Sequence, residues 1–263
     1  MNTRLDRTMT DLRKAGKKGL FIYLTAGAPD RKATMEAVQA AERAGADVIE
    51  LGIPFSDPMA DGPVIQAAAA QAIRQGMTVH GVLDIVREIR EISEIPLVGM
   101  GYINNVLNYG FEAFVHDAKA AGLDGLILPD VPHEESGPLH KLCKAKNFHL
   151  IEFVTPGTTP QRMQETCKDA DGFIYCVSVN GVTGERRIDY APIGRVAELV
   201  RKTTDVPLAV GFGIGSPEAA VEAAAHADAV IVGSAVVRRV MKKELSEAEV
   251  LIASIRQALD AQR

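Results

Sequence analysis

Residues 47–63 read DVIELGIPFSDPMADGP. The first half is a short apolar run, Val48, Ile49 and Leu51, with one carboxylate, Glu50, set inside it. A strand covered on both faces reads as an almost continuous apolar segment, so this run predicts a buried parallel strand over 47–51. A carboxylate is costly to bury there unless it is paired or put to use. The second half turns at Gly52 and passes Pro54, Pro58 and Pro63, with Asp57 and Asp61 between them. Glu50 and Asp61 thus stand at a strand end and in a loop stiffened by proline rather than loosened by glycine. Such a pair reads as two acid/base groups held at one mouth.

The same pattern recurs outward from this stretch. Apolar runs at 19–24, 96–100, 125–128, 148–153, 172–177, 207–210 and 229–232 supply seven more strand candidates. Helical periodicity lies between them, at 31–44, 79–92, 111–121, 134–145 and 190–202. Alternation of this kind implies βα units and a parallel sheet. Eight strands favour the α/β class in its closed form, a (β/α)8 TIM barrel, over an open doubly wound sheet. The 263 residues fit one domain, 1–263, with the N-terminal segment as a short amphipathic extra helix. A faint echo supports four of the strands: AGADVIELG, AGLDGLILP, DADGFIYCV and HADAVIVGS each run through glycine, alanine or aspartate into an apolar run. Turn chemistry, with glycine ending a helix and aspartate preceding a strand, accounts for it.

Composition removes several function classes. A net charge of −5 without a basic stripe argues against a nucleic-acid surface. No apolar stretch is long enough to span a membrane, and the N-terminus lacks an apolar signal core. Three cysteines, Cys143, Cys167 and Cys176, lack metal-ligand spacing and read as reduced thiols of a cytoplasmic protein.

In a barrel the chemistry sits at the strands' C-terminal ends. Gly211, Gly213 and Gly215 follow strand 7, Ser216-Pro217-Glu218 reads as a helix start, and Gly233-Ser234 opens a helix after strand 8. Glycines and helix N-termini let backbone N–H groups approach an anion, so these two loops predict a phosphate site. No lysine follows a strand closely enough to serve as a Schiff-base nucleophile. Only His133 among the histidines lies clearly at the mouth, so no metal site is expected; His133 itself reads as structural. His149 falls at the start of strand 5, on the stability face. Alone, Glu50 would read as a structural acceptor and Asp61 as a turn hydrogen-bonder. A phosphate site across the same mouth favours proton transfer.

Several motifs carry a family resemblance over essentially the whole chain: TAGAPD at 25–30, ELGIPFSDPMADGP at 50–63, LPDVP at 128–132, NGVTG at 180–184, GFGI at 211–214 and VGS at 232–234. Together they resemble the tryptophan synthase alpha chain. The resemblance implies a lyase that cleaves indole-3-glycerol phosphate to indole and glyceraldehyde 3-phosphate by a retro-aldol reaction. Glu50 would shuttle the proton and Asp61 would hold the ring N–H. Tyr175 would sit beside Glu50, and Thr183 would contact Asp61. Gly184, Gly213, Gly233 and Ser234 would hold the phosphate, while Tyr23, Met100 and Phe212 would line an indole slot. Many members carry phenylalanine at the Tyr23 position, and some a basic residue at Val179–Asn180. The long polar loop 178–189 suits a lid.

The resemblance also implies a partner, the tryptophan synthase beta chain, in an α2β2 heterotetramer to which indole is passed for tryptophan biosynthesis. Pyridoxal phosphate is expected in that partner and no cofactor in this chain. The loop 53–59 places Pro54, Phe55, Pro58 and Met59 beside Asp57, with Asn104 and Asn105 nearby, which reads as the docking face. Two other readings stand beside this one: a sugar-phosphate isomerase or epimerase barrel, and a non-catalytic ligand-binding subunit that activates a partner.

Overall fold

A computed structural model of the chain describes residues 2–177 and 189–262. Eight parallel strands form a closed barrel in sequence order: β1 (Gly19–Thr25), β2 (Val48–Gly52), β3 (Leu97–Met100), β4 (Gly125–Ile127), β5 (His149–Val154), β6 (Ile174–Val177), β7 (Leu208–Gly211) and β8 (Ala229–Val232). β1 pairs with both β2 and β8, which closes the ring. All eight expected strands are present, displaced by two residues at most. This is the TIM barrel anticipated from the sequence.

The helices that follow are α2 (Arg31–Arg43), α3 (Pro63–Arg74), α4 (Val79–Ile92), α5 (Ile103–Tyr109), α6 (Phe111–Ala121), α7 (Gly137–Ala145), α8 (Pro160–Asp169), α9 (Ala191–Thr203), α10 (Pro217–Ala224), α11 (Ser234–Met241) and α12 (Leu245–Asp260). Their starts follow local chemistry. Asp30, Thr78, Thr159 and Ser216 each accept a hydrogen bond from an N–H of the first turn, and Pro63, Pro160 and Pro217 occupy the first turn, where no N–H is needed. The single helix expected over 134–145 is two pieces, a 3-10 turn at His133–Glu135 and then α7. Pro138 is the reason: it has no N–H to bond back to the preceding turn. α3, α5 and α8 lie in segments the periodicity left unassigned. Among the described residues, no helix is long and apolar enough to cross a membrane.

Alternation along the strands sorts side chains into two layers. Ile22, Ile49, Leu51, Leu97, Leu126 and Leu150 face the helices. Phe21, Val48, Val98, Ile127, Ile151, Ala209 and Ala229 fill the barrel interior. The extra N-terminal helix, α1 (Arg4–Ala15), closes the bottom by driving Leu5, Met9 and Leu12 into that interior. Its first turn is held by a capping box between Thr3 and Asp6. His149 is buried below the barrel and bonds Thr3, Asp6 and Asp171, the structural role expected of it.

Candidate active site

Glu50 has the same parity on β2 as Val48, so it points into the barrel, one layer above the closed core. It is fully buried, and among the described residues neither carboxylate oxygen has a hydrogen-bond partner. Burial pushes its carboxyl up to about 8. Tyr23, its register neighbour on β1, and Tyr175 on β6 face the same space. Both phenols are pushed well above their ordinary range by burial, with the Glu50 carboxyl among the charges that add to it. Two strand-end glycines make room for them: a Cβ on Gly52 would lie 2.1 Å from the Tyr23 hydroxyl, and one on Gly211 would lie 2.1 Å from that of Tyr175.

Asp61 reaches the same cavity from the proline-rich loop. Its backbone N–H is tied to the Pro58 carbonyl, and the Gln66 side-chain amide donates to its own carbonyl. The Tyr102 hydroxyl donates to Asp61 Oδ2 at 3.1 Å and accepts the Ala60 N–H at 3.1 Å. Burial pushes the Asp61 carboxyl up to about 6, with the Tyr102 hydrogen bond pulling the other way. Two carboxyls of one cavity are thereby spread across neutral pH.

Met100, Phe212, Gly213, Gly233 and Ser234 line this cavity together with Glu50, Asp61, Tyr23 and Tyr175. Phe212 and Gly213 both have positive φ, 84° and 71°; for Phe212 this is an uncommon conformation of the kind that clusters at functional sites. The N-terminus of α11 opens onto the cavity through Gly233, Ser234 and Ala235. Its free space is about 50 Å³, below the roughly 300 Å³ at which ligand clefts begin. Thr183, Gly184, the Val179–Asn180 position and nearly all of the expected lid lie outside the described residues.

Sequence reasoning missed four contributors. Ile65 and Ile231 complete the apolar wall. Phe153 stacks on Tyr175 with ring centroids 5.1 Å apart, and Phe212 meets Tyr175 edge-on at 6.5 Å. The fourth is Tyr102, the hydrogen-bond partner of Asp61.

One expectation needs correction. In the loop after β2, Asp57 and Met59 are exposed, but Pro54, Phe55 and Pro58 are half-buried. The Phe55 ring is stacked on Tyr102 at 5.2 Å. Asn104 is exposed, whereas Asn105 is buried, accepting the Tyr102 N–H and donating to the Pro54 carbonyl. His133, His140 and Glu152 converge, with ligand atoms all within 4.8 Å of one another, a grouping the sequence reading did not anticipate. Linear spacing hid it, because Glu152 comes from a strand and His140 from a helix.

Comparison with known proteins decides the family. The family model for the tryptophan synthase alpha chain matches residues 9–262. The chain belongs to the tryptophan synthase alpha chain family. It is 42% identical to the tryptophan synthase alpha chain of Caldanaerobacter subterraneus over 261 residues, covering 97% of this chain and 99% of that one. It is 47% identical to that of Alkalilimnicola ehrlichii over 238 residues, covering 90% and 87%. Among solved structures, the tryptophan synthase alpha chain of Legionella pneumophila superposes with a TM-score of 0.91 at 34% identity, covering 100% and 99%. A chain of Mycobacterium tuberculosis tryptophan synthase gives the same score and identity, covering 98% and 99%. The activity of the family is the retro-aldol cleavage read from the sequence, and the chain is a lyase.

Proposed function

We propose that Glu50 and Asp61 carry out the cleavage of indole-3-glycerol phosphate in this cavity. The observation that carries this assignment is the Glu50 carboxyl, fully buried against the apolar slot with both oxygens unpartnered among the described residues. Such a group keeps its proton at neutral pH and can give it to ring carbon C3. Protonation there makes the ring N–H acidic, and ionised Asp61 accepts its hydrogen bond and stabilises the positive ring. Glu50, now a carboxylate, takes the proton of the hydroxyl on the carbon attached to C3. The bond between that carbon and C3 breaks, its electron pair neutralises the ring, and indole and glyceraldehyde 3-phosphate leave. Glu50 ends protonated as it began, and neither step calls on a metal or redox group.

The phosphate would rest on backbone N–H groups of Gly213, Gly233 and Ser234, joined by Gly184, with the α11 dipole behind them. Tyr23, Met100 and Phe212 would hold the ring, Tyr175 would flank Glu50, and Thr183 would contact Asp61. In this reading the whole chain, 1–263, works as one domain in the cytoplasm. It pairs with a tryptophan synthase beta chain as an α2β2 heterotetramer, and the pyridoxal phosphate of the pathway belongs to that partner. The face carrying Pro54, Phe55, Asp57, Pro58 and Asn104 supports the pairing, because its Phe55 stacks on the tyrosine that holds Asp61.

Indole release by native chain and Glu50→Gln, each with and without an added beta chain, tests the assignment. Glutamine has no proton to give, so cleavage falls roughly 1,000-fold or more. Affinity for the unreactive analogue indolepropanol phosphate stays within a few-fold. Native release rises on adding the partner. Near-normal turnover by Glu50→Gln would remove Glu50 from the mechanism.

A further inference from the structure

Glu152 stands on β5 at the parity of Leu150 and Val154, residues that face the helix layer. It is therefore outside the barrel interior that holds Glu50, and the cleavage reaction gives it no task. A carboxylate among apolar strand residues needs partners, and it has two imidazoles. His133, in the 3-10 turn after β4, brings Nδ1 to 2.9 Å from Glu152 Oε1. His140, in the first turn of α7, brings Nε2 to the same oxygen. All three side chains are largely buried, at 15%, 15% and 7% exposure.

We propose that His133, His140 and Glu152 form a binding site for a zinc-type divalent cation. Two neutral imidazoles and one carboxylate are the ligand set of three-ligand zinc centres. Metal–ligand bonds of ~2.0–2.2 Å set tetrahedral ligand atoms about 3.3–3.5 Å apart, so to admit an ion the His133–Glu152 pair opens by a few tenths of an ångström and the shorter His140–Glu152 pair by roughly 1 Å. The far nitrogen of His133 lies 3.7 Å from Asp169 Oδ2, the outer carboxylate that commonly orients a metal-bound imidazole. His133 and Glu152 also line a cavity of about 340 Å³, which gives the ion an entry path and leaves its fourth position to water. The ion would tie the loop after β4 and the start of α7 to β5.

The test uses the full chain, stripped with a chelator and titrated with Zn²⁺ by calorimetry and with Co²⁺ by visible absorption. The expected result is one ion per chain, the d–d bands of four-coordinate Co²⁺, and a melting temperature that rises with added Zn²⁺. His140→Ala and the near-isosteric Glu152→Gln should each weaken binding more than 100-fold. Asp169→Asn should weaken it by roughly 10–100-fold, as outer partners do, and Cys167→Ser should leave it unchanged. An intact, folded chain that takes up neither ion would show that the trio is a hydrogen-bond network only. Undiminished binding by folded Glu152→Gln and His140→Ala would place the ion elsewhere. Either result overturns the site.

Discussion

Asp61 and Glu50 differ in one respect that governs how the rate should vary with pH. Among the described residues Asp61 has a hydrogen-bond donor, the Tyr102 hydroxyl, and Glu50 has none. The proposed mechanism needs Asp61 ionised and Glu50 protonated, so kcat/KM should rise as pH passes about 6 and fall as it passes about 8. The bond from Tyr102 favours the ionised form of Asp61. Tyr102→Phe should therefore move the rising limb to higher pH and leave the falling limb in place, measured as a pH profile of kcat/KM. An unmoved rising limb would mean that Tyr102 only packs. Glu50 and Asp61 were legible because a carboxylate in an apolar strand, and another in a proline-stiffened loop, break local patterns. Tyr102 was not, because a tyrosine after a strand resembles any packing residue and its target lies far away in sequence.

At the scale of elements, each strand end is shaped by what faces it. Gly211 ends β7 where the Tyr175 ring needs room, and Gly52 ends β2 where Tyr23 does. Gly211→Ala would force a methyl into the Tyr175 ring, at a cost of about 1–3 kcal/mol in stability. It should also weaken indolepropanol phosphate binding by roughly tenfold, read by titration against a melting curve. Unchanged analogue affinity would show that Tyr175 can swing clear. The repeated aspartates of the echo have a purpose that only the strand register exposes. Asp47, Asp124 and Asp228, ahead of β2, β4 and β8, accept the backbone N–H of Leu20, Leu97 and Leu208, each in the preceding strand. Asp171, ahead of β6, bonds instead to the side chain of His149, the first residue of β5. The echo is a device for sealing strand starts at the barrel bottom.

At the scale of the molecule, α1 joins that bottom through His149. Burial alone would lower the imidazole, but its hydrogen bonds to Asp171 and Asp6 raise it to about 9. The same contact helps to hold the Asp6 carboxyl well below its usual range, against the effect of burial. A group raised from about 6.5 when unfolded contributes stability fully below that pH and loses it as pH climbs through about 9. Unfolding free energy should therefore fall by on the order of 2–3 kcal/mol between pH 6.5 and 9. Denaturant melts across this range should show the slope in the native chain and not in His149→Gln; equal slopes would detach α1's anchoring from this charge. The sequence by itself determined the eight strands, the barrel, the glycine loops, the two carboxylates and the family. Those depend on periodicity, turn chemistry and local motifs, which act over a few residues. Tertiary structure alone decided that Tyr102 holds Asp61, that Phe55 packs inward, and that His133, His140 and Glu152 meet. Closing a barrel brings together side chains from different strands and helices, and no spacing along the chain records which of them will face one another.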